Sequence, residues 1–158
     1  MRPTVYIETT IPSYYCDNRQ VVAGEIARTR EWWDGERGDY ECFISLVVLD
    51  ELSVGSYPAQ GECLALVDKV LLLSVEPEIL EIAEAYRAQK LMPRDPAADA
   101  VRVAIACYYR MDYLLTWNCR HIANARKVRH LETLNTRMGL SIPLLVTPYM
   151  LLPREDYA

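Results

Sequence analysis

The chain has 158 residues, 51% hydrophobic and 25% charged, a composition that suits one compact globular domain, 1–158, with a real core. Its formal net charge of −5 argues against broad, charge-driven DNA binding, and no apolar run approaches membrane-spanning length. Five scattered cysteines (Cys16, Cys42, Cys63, Cys107, Cys119) and only two histidines argue against a disulfide framework, a zinc site or histidine-rich metal chemistry. No basic-then-apolar signal segment opens the chain, so a cytoplasmic protein is expected.

The first element is a short β-branched and aromatic run, Thr4-Val5-Tyr6-Ile7, which reads as a strand ending in Glu8-Thr9-Thr10. Ser13-Tyr14-Tyr15 reads as a turn or short helix. A helical pattern follows from Val22, with Ile26, Thr29 and Trp33 on one face, closed by Gly35 and Gly38. Tyr40 to Ser45 is a second strand, and Ser45 is placed to cap a helix from Leu46 to Val54 that Gly55 ends. Pro58 opens a further helix carrying Cys63, Leu66, Val67 and Val70. Leu71 to Val75 is a third strand, expected to be buried because it is almost wholly apolar.

Pro77 starts a helix with Ile79, Ile82, Ala83 and Tyr86 on one side. Pro93 and Pro96 frame a loop, and the segment from Ala97 to Tyr109 is so apolar that it should lie between neighbours. Tyr113 to Trp117 is the fourth strand. A basic amphipathic helix follows, with Val128, Leu131, Leu134 and Met138 in one stripe and Gly139 at its end. Ile142 to Val146 is the fifth strand, and Pro148 to Leu152 a closing turn. Strands alternating with helices predict a three-layer α/β/α sandwich around a five-stranded parallel sheet.

In such sheets ligands bind beyond the C-terminal strand ends. Glu8 belongs at that edge. Asp99 lies in the first turn of the most apolar helix, where a buried carboxylate needs a partner or a metal. Glu51 shares a face with Val47 and Val48, whereas Asp50 is turned about 100° away toward solvent. Thr116-Trp117-Asn118 ends the fourth strand. Taken singly, each has an ordinary structural reading: a solvated turn for Glu8, a helix-dipole contact for Asp99, a surface residue for Glu51. Asp112 precedes the fourth strand, about 13 Å from Thr116, and so belongs at the opposite end of the sheet. Arg102, one helical turn beyond Asp99, is placed to hold that carboxylate or to face solvent. The basic stretch from Arg120 to Arg137 reads as a solvated helix face or a backbone-binding strip.

Ile7-Glu8-Thr9-Thr10 at the first strand end, Glu51 after the second, Asp99 at a buried helix start and Thr116-Trp117-Asn118 together resemble the PIN domain. The longer run from Asp112 to Asn124 is similar to a subgroup of that family described as VapC-like toxins or as uncharacterised PIN proteins. The resemblance covers nearly the whole chain. It implies an acidic pocket that binds Mg²⁺ or Mn²⁺ and hydrolyses RNA phosphodiesters, with an RNA substrate and an antitoxin protein as partners. Glu8, Glu51 and Asp99 match the family's acidic, metal-holding positions, Asn118 the last acid, and Thr10 and Thr116 the supporting hydroxyls. Arg120, His121 and Asn124, just past the pocket, are placed to meet the RNA backbone, and Trp117 either packs or stacks on a base. Two departures stand out: Glu8 replaces the usual Asp and is one methylene longer, and the neutral Asn118 replaces an acid.

The leading expectation is a metal-dependent ribonuclease, the toxin of a toxin–antitoxin pair. A second is a catalytically weak or inactive PIN-fold module that binds RNA or a partner protein. A phospho-acceptor receiver or small phosphatase is disfavoured, because the first-strand acid is Glu and no lysine ends a strand. Trp32 and Trp33, far from the acidic set in sequence, are expected to pack or to line an interface, and with the tyrosines they make a helix-face homodimer one further expectation.

Overall fold

A computed structural model of the chain describes residues 1–91 and 98–151. Five strands form one sheet: β1 (Thr4–Ile7), β2 (Glu41–Ser45), β3 (Leu71–Leu73), β4 (Tyr113–Leu115) and β5 (Leu144–Val146). Their order is β3-β2-β1-β4-β5, and every neighbouring pair is parallel. The chain therefore builds outward from β1 in one direction through β2 and β3. It then returns to the other side of β1 for β4 and β5. That reversal makes the gap between β1 and β4 the switch point at which α/β sheets open a crevice.

The connections are α1 (Thr10–Tyr15), α2 (Ala23–Glu31), α3 (Leu46–Ser53), α4 (Gln60–Val67), α5 (Pro77–Ala88), α6 (Ala98–Tyr108) and α7 (Ala125–Met138). Right-handed crossovers running opposite ways from β1 put α1 to α4 on one face and α5 to α7 on the other. The packing of α1 with α2 and α4, of α3 with α4, and of α5 with α6 follows that division. The expected three-layer α/β/α sandwich is the observed fold.

Strand β1 is central, and Val5, Tyr6 and Ile7 are fully buried, as are Leu114 and Leu115 of β4 beside them. Helix α6 is as buried as its composition predicts, with Ala100, Val103, Ala104, Ile105, Ala106 and Cys107 all inaccessible. A buried amide joins the three helices of that face. Asn135 accepts from Tyr86 Oη at 2.7 Å and donates to Ser141 O at 3.0 Å and to Cys107 Sγ. Helix α7 begins at the Asn124 cap and ends at Gly139, whose φ of +69° only glycine adopts without strain.

Several boundaries differ from expectation. Strand β3 stops at Leu73, and its Leu71 and Leu72 are 53% and 51% exposed, because β3 lies at the sheet edge. Its apolar composition alone does not distinguish a central strand from an edge one. The second helix ends earlier than Gly35: Trp32–Glu36 forms a wider π-type turn that buries both Trp32 and Trp33. These two tryptophans pack against each other, with Trp33 against Tyr15 and Trp32 against Tyr40, the packing alternative of their expected roles. Ser45 precedes α3 but makes no capping bond; its hydroxyl instead meets Tyr6 Oη, 2.7 Å away in the core. Met138 is partly exposed at the end of its stripe. Pro93, Pro96, Ala97 and Leu152 lie outside the described residues. Among the described residues, no helix is long and apolar enough to cross a membrane.

Candidate active site

The backbone ladder runs one residue past each central strand. Glu8 N donates to Leu115 O at 3.1 Å, and Thr116 N to Val146 O at 2.9 Å. Glu8 and Thr116 therefore stand side by side on the C-terminal edge at the switch point. Helix α1 begins two residues after Glu8, which curls the chain back over the carboxylate. One carboxylate oxygen, Oε2, accepts three donors: Thr10 N at 3.0 Å, Thr10 Oγ1 at 2.5 Å and Thr116 Oγ1 at 2.9 Å. The same hydroxyls accept from the segment that follows β4, Thr10 Oγ1 from Trp117 N and Thr116 Oγ1 from Asn118 N, each at 2.9 Å. Both threonines thus lock the ends of β1 and β4 together and fix Glu8 between them.

Helix α3 brings Glu51 from one face of the sheet, and the first turn of α6 brings Asp99 from the other. Glu8 and Asp99 are 1% exposed, whereas the Glu51 side chain is 32% exposed and forms the open side of the pocket. The three carboxylates do not face one another directly. Arg102, three residues beyond Asp99 and 6% exposed, lies among them. Its Nη1 donates to Asp99 Oδ1 at 2.5 Å, its Nη2 pairs with Glu51 Oε2, and its Nε stands 3.6 Å from Glu8 Oε1. Burial raises the Glu8 carboxyl above the usual carboxylate range, while Arg102 and the Thr10 and Thr116 bonds oppose that rise. For Arg102, burial weakens the charged form, but the attraction of Glu8, Glu51 and Asp99 outweighs it and raises the pKa.

The other expected residues divide by what their polar atoms already do. Asn118 Nδ2 donates to Asp99 Oδ1 at 3.3 Å, while its Oδ1 accepts from His121 N at 3.0 Å. The amide therefore turns its hydrogens, not its oxygen, toward the acids. Asn124 caps α7: its Oδ1 accepts from Arg126 N and its Nδ2 donates to Arg120 O, each at 3.0 Å. One N–H of its amide stays outside these two bonds. Arg120 is exposed and His121 half-buried beside the pocket. Trp117 is packed, nearly parallel to Tyr14 at 5.8 Å and edge-on to Tyr149 at 5.4 Å, with Nε1 donating to Thr29 Oγ1. Asp112 sits at the far end of the sheet, as its position before β4 predicts.

Two residues matter more than the sequence suggests. Arg102 touches all three acids rather than Asp99 alone; the available signal was a single cation in an otherwise apolar helix. Lys127, which the sequence places only in the basic strip, donates to Leu91 O at 3.1 Å. Burial lowers its pKa, with the charge of Asp99 opposing that shift and Arg120 adding to it.

The donor set suits a hard divalent cation, which prefers carboxylate and other oxygen ligands. Glu51 Oε1 and Asp99 Oδ2 are buried without a hydrogen-bond partner, a costly state that a bound cation would relieve. Among the described residues, however, no three Asp, Glu, His or Cys side chains form a ready cage for an ion. The cation among the acids is the guanidinium.

The sequence matches no protein-family model and no curated protein. Its fold is similar to solved structures. A toxin–antitoxin complex from Klebsiella pneumoniae contains a chain 20% identical, aligned over 92% of this chain and 98% of that one, with a TM-score of 0.58. A chain of VapBC2 from Rickettsia felis, solved bound to a DNA fragment from their promoter, is 12% identical. It covers 91% of this chain and 98% of that one, with a TM-score of 0.54. At such identities the likeness speaks for the fold, and the fold of this chain is the PIN-like one that the strand-end acids and threonines resemble.

Proposed function

We propose that this protein is a divalent-metal-dependent endoribonuclease, cytoplasmic, and the toxin of a toxin–antitoxin pair. The observation that carries this reading is the convergence of Glu8, Glu51 and Asp99 on the switch point, with Glu51 Oε1 and Asp99 Oδ2 buried and unpartnered. Glu8, Glu51 and Asp99 would hold Mg²⁺ or Mn²⁺. Such an ion, when bound, stabilises charge on a phosphodiester in flight and makes water a better nucleophile.

The chain's own residues supply the rest. Thr10 and Thr116 hold Glu8 Oε2, so only Oε1 faces the other acids. The Asn118 amide steadies Asp99 from the side. Glu51, on the open side, is the acid that a phosphate and its solvent reach first. Arg120, with Lys127 behind it, offers positive charge to the RNA backbone next to a pocket that would otherwise repel it, and His121 beside them offers a ring nitrogen for a hydrogen bond. One of the fold neighbours is from a toxin–antitoxin complex, which supports an antitoxin as a protein partner for this chain.

The test is cleavage of a mixed RNA pool by purified protein with Mg²⁺, Mn²⁺ or EDTA, beside Asp99→Asn prepared identically. Metal-dependent cutting that the variant lacks supports the proposal. A folded protein that binds RNA and never cuts it supports the second reading, an RNA- or partner-binding module. That reading is favoured by one observation: Arg102 already pairs with the three acids, and Asn118 adds no charge to them.

A further inference from the structure

We infer that Arg102 is the resident counter-ion of the acid pocket, and that a divalent cation enters only by displacing its guanidinium. The inference rests on the metal-binding reading above and concerns how this chain's own residues set that binding. All three guanidinium nitrogens are engaged, each with a different acid: Nη1 with Asp99 Oδ1, Nη2 with Glu51 Oε2 and Nε facing Glu8 Oε1. The planar fork therefore lies in the middle of the donor set, not at its margin. Charge alone would admit both cations, since three carboxylates balance one guanidinium and one divalent ion. Geometry does not. An Mg²⁺ ion needs oxygens at about 2.0–2.1 Å. Each of the three carboxylates already faces a guanidinium nitrogen through one oxygen, so an ion on the remaining oxygens would share its ligand groups with a second cation at close range, and the two would repel.

The guanidinium also satisfies the pocket incompletely. Glu51 Oε1 and Asp99 Oδ2 keep no partner, and Arg102 Nε makes no hydrogen bond because Glu8 Oε1 stands at 3.6 Å. A cation with several oxygen ligands would satisfy more of these atoms than the arginine does. There is a way out for the side chain. Glu8 and Asp99 are enclosed, but Nη2 reaches Glu51, the one acid of the three that is partly exposed. Arginine has a long flexible stem, so the head can move to the Glu51 side while the stem stays packed on α6. Metal affinity is then the difference between two occupied states rather than the affinity of a vacant pocket. The arginine keeps the acids paired when the metal is scarce.

The experiment compares Mn²⁺ binding by calorimetry in the wild type, Arg102→Met and Arg102→Lys, with folding followed by circular dichroism. Arg102→Met is expected to bind Mn²⁺ at least about tenfold more tightly than wild type, because one competing charge is gone. Arg102→Lys should remain near wild type. A folded Arg102→Met that binds Mn²⁺ no tighter, or more weakly, overturns the inference and makes Arg102 a supporting residue. The wild type provides an independent readout should Arg102→Met fail to fold. In a Mg²⁺ titration followed by NMR, the Arg102 Nε–H signal, assigned by its loss in Arg102→Lys, is expected to shift and exchange faster with water. Mg²⁺ binding that leaves this signal unmoved also overturns the inference. If neither wild type nor folded Arg102 variants bind Mn²⁺ or Mg²⁺, the metal reading itself falls, a result distinct from metal that binds without moving Arg102.

Discussion

The two ends of the central strand pair use the same device to different effect. At the N-terminal edge, Asp112 Oδ2 accepts from Thr4 N at 2.8 Å and Thr4 Oγ1 at 3.1 Å, and Asp112 N donates back to Thr4 Oγ1. At the C-terminal edge, Glu8 Oε2 accepts from Thr10 and from Thr116. Both are carboxylates clasped by threonines across β1 and β4, and both tie the strands together. What separates them is surplus. The Asp112 carboxylate is exposed and accepts its two bonds from Thr4. Glu8 is enclosed and shares its pocket with Glu51, Asp99 and Arg102, where two carboxylate oxygens remain unpartnered. A carboxylate that neutral donors satisfy is a fastener. Acids gathered beyond what their partners satisfy are expensive to keep unless the gathering serves chemistry.

Substitutions that break this contrast should differ in size. The largest effect belongs to Asp99→Asn and Glu8→Gln, which leave the backbone intact. RNA cleavage with Mg²⁺ or Mn²⁺ is expected to fall at least about a hundredfold, read from initial rates against wild type. Next is Arg102→Ala, which strips the counter-ion and leaves buried carboxylates facing one another. Urea unfolding without metal should show a loss of about 3–5 kcal/mol, with part of it recovered on adding Mg²⁺. Asn118→Asp replaces the amide that donates to Asp99 with a like charge. Its metal-free stability should fall by about 1–2 kcal/mol, while Mn²⁺ binding measured by calorimetry tightens. The smallest effect is at the other end. Asp112→Asn keeps the size of the side chain and should cost about 0.5–1.5 kcal/mol in urea unfolding while RNA cleavage stays unchanged. Equal loss of cleavage from Asp112→Asn and Asp99→Asn would erase the distinction between the two edges.

Much of this architecture was legible without coordinates. The alternation of apolar runs with amphipathic ones predicts the strands and helices, because side-chain periodicity is a local property. Pro77 at the start of α5, Gly139 at the end of α7 and the enclosed helix after Pro96 are read the same way. The polar residues that end β1 and β4 point to the C-terminal edge, since a strand buried on both faces carries its polar groups where it emerges.

What the chain alone left open depends on partners far away in sequence. Leu71 and Leu72 look like core, yet they are exposed because the sheet happens to end at β3. Ser45 has the composition of a cap, but Tyr6 lies close enough to engage its hydroxyl. Asn118 and Asn124 carry the same amide; one turns its hydrogens to Asp99 and the other closes a helix end. Above all, Arg102 reads as the neighbour of Asp99 three residues away. Only the folding of α3 over the strand ends brings Glu51 to its other side and completes the ring of acids around it. Periodicity determines which elements form, whereas the meeting of charged groups on different elements is decided by how those elements pack.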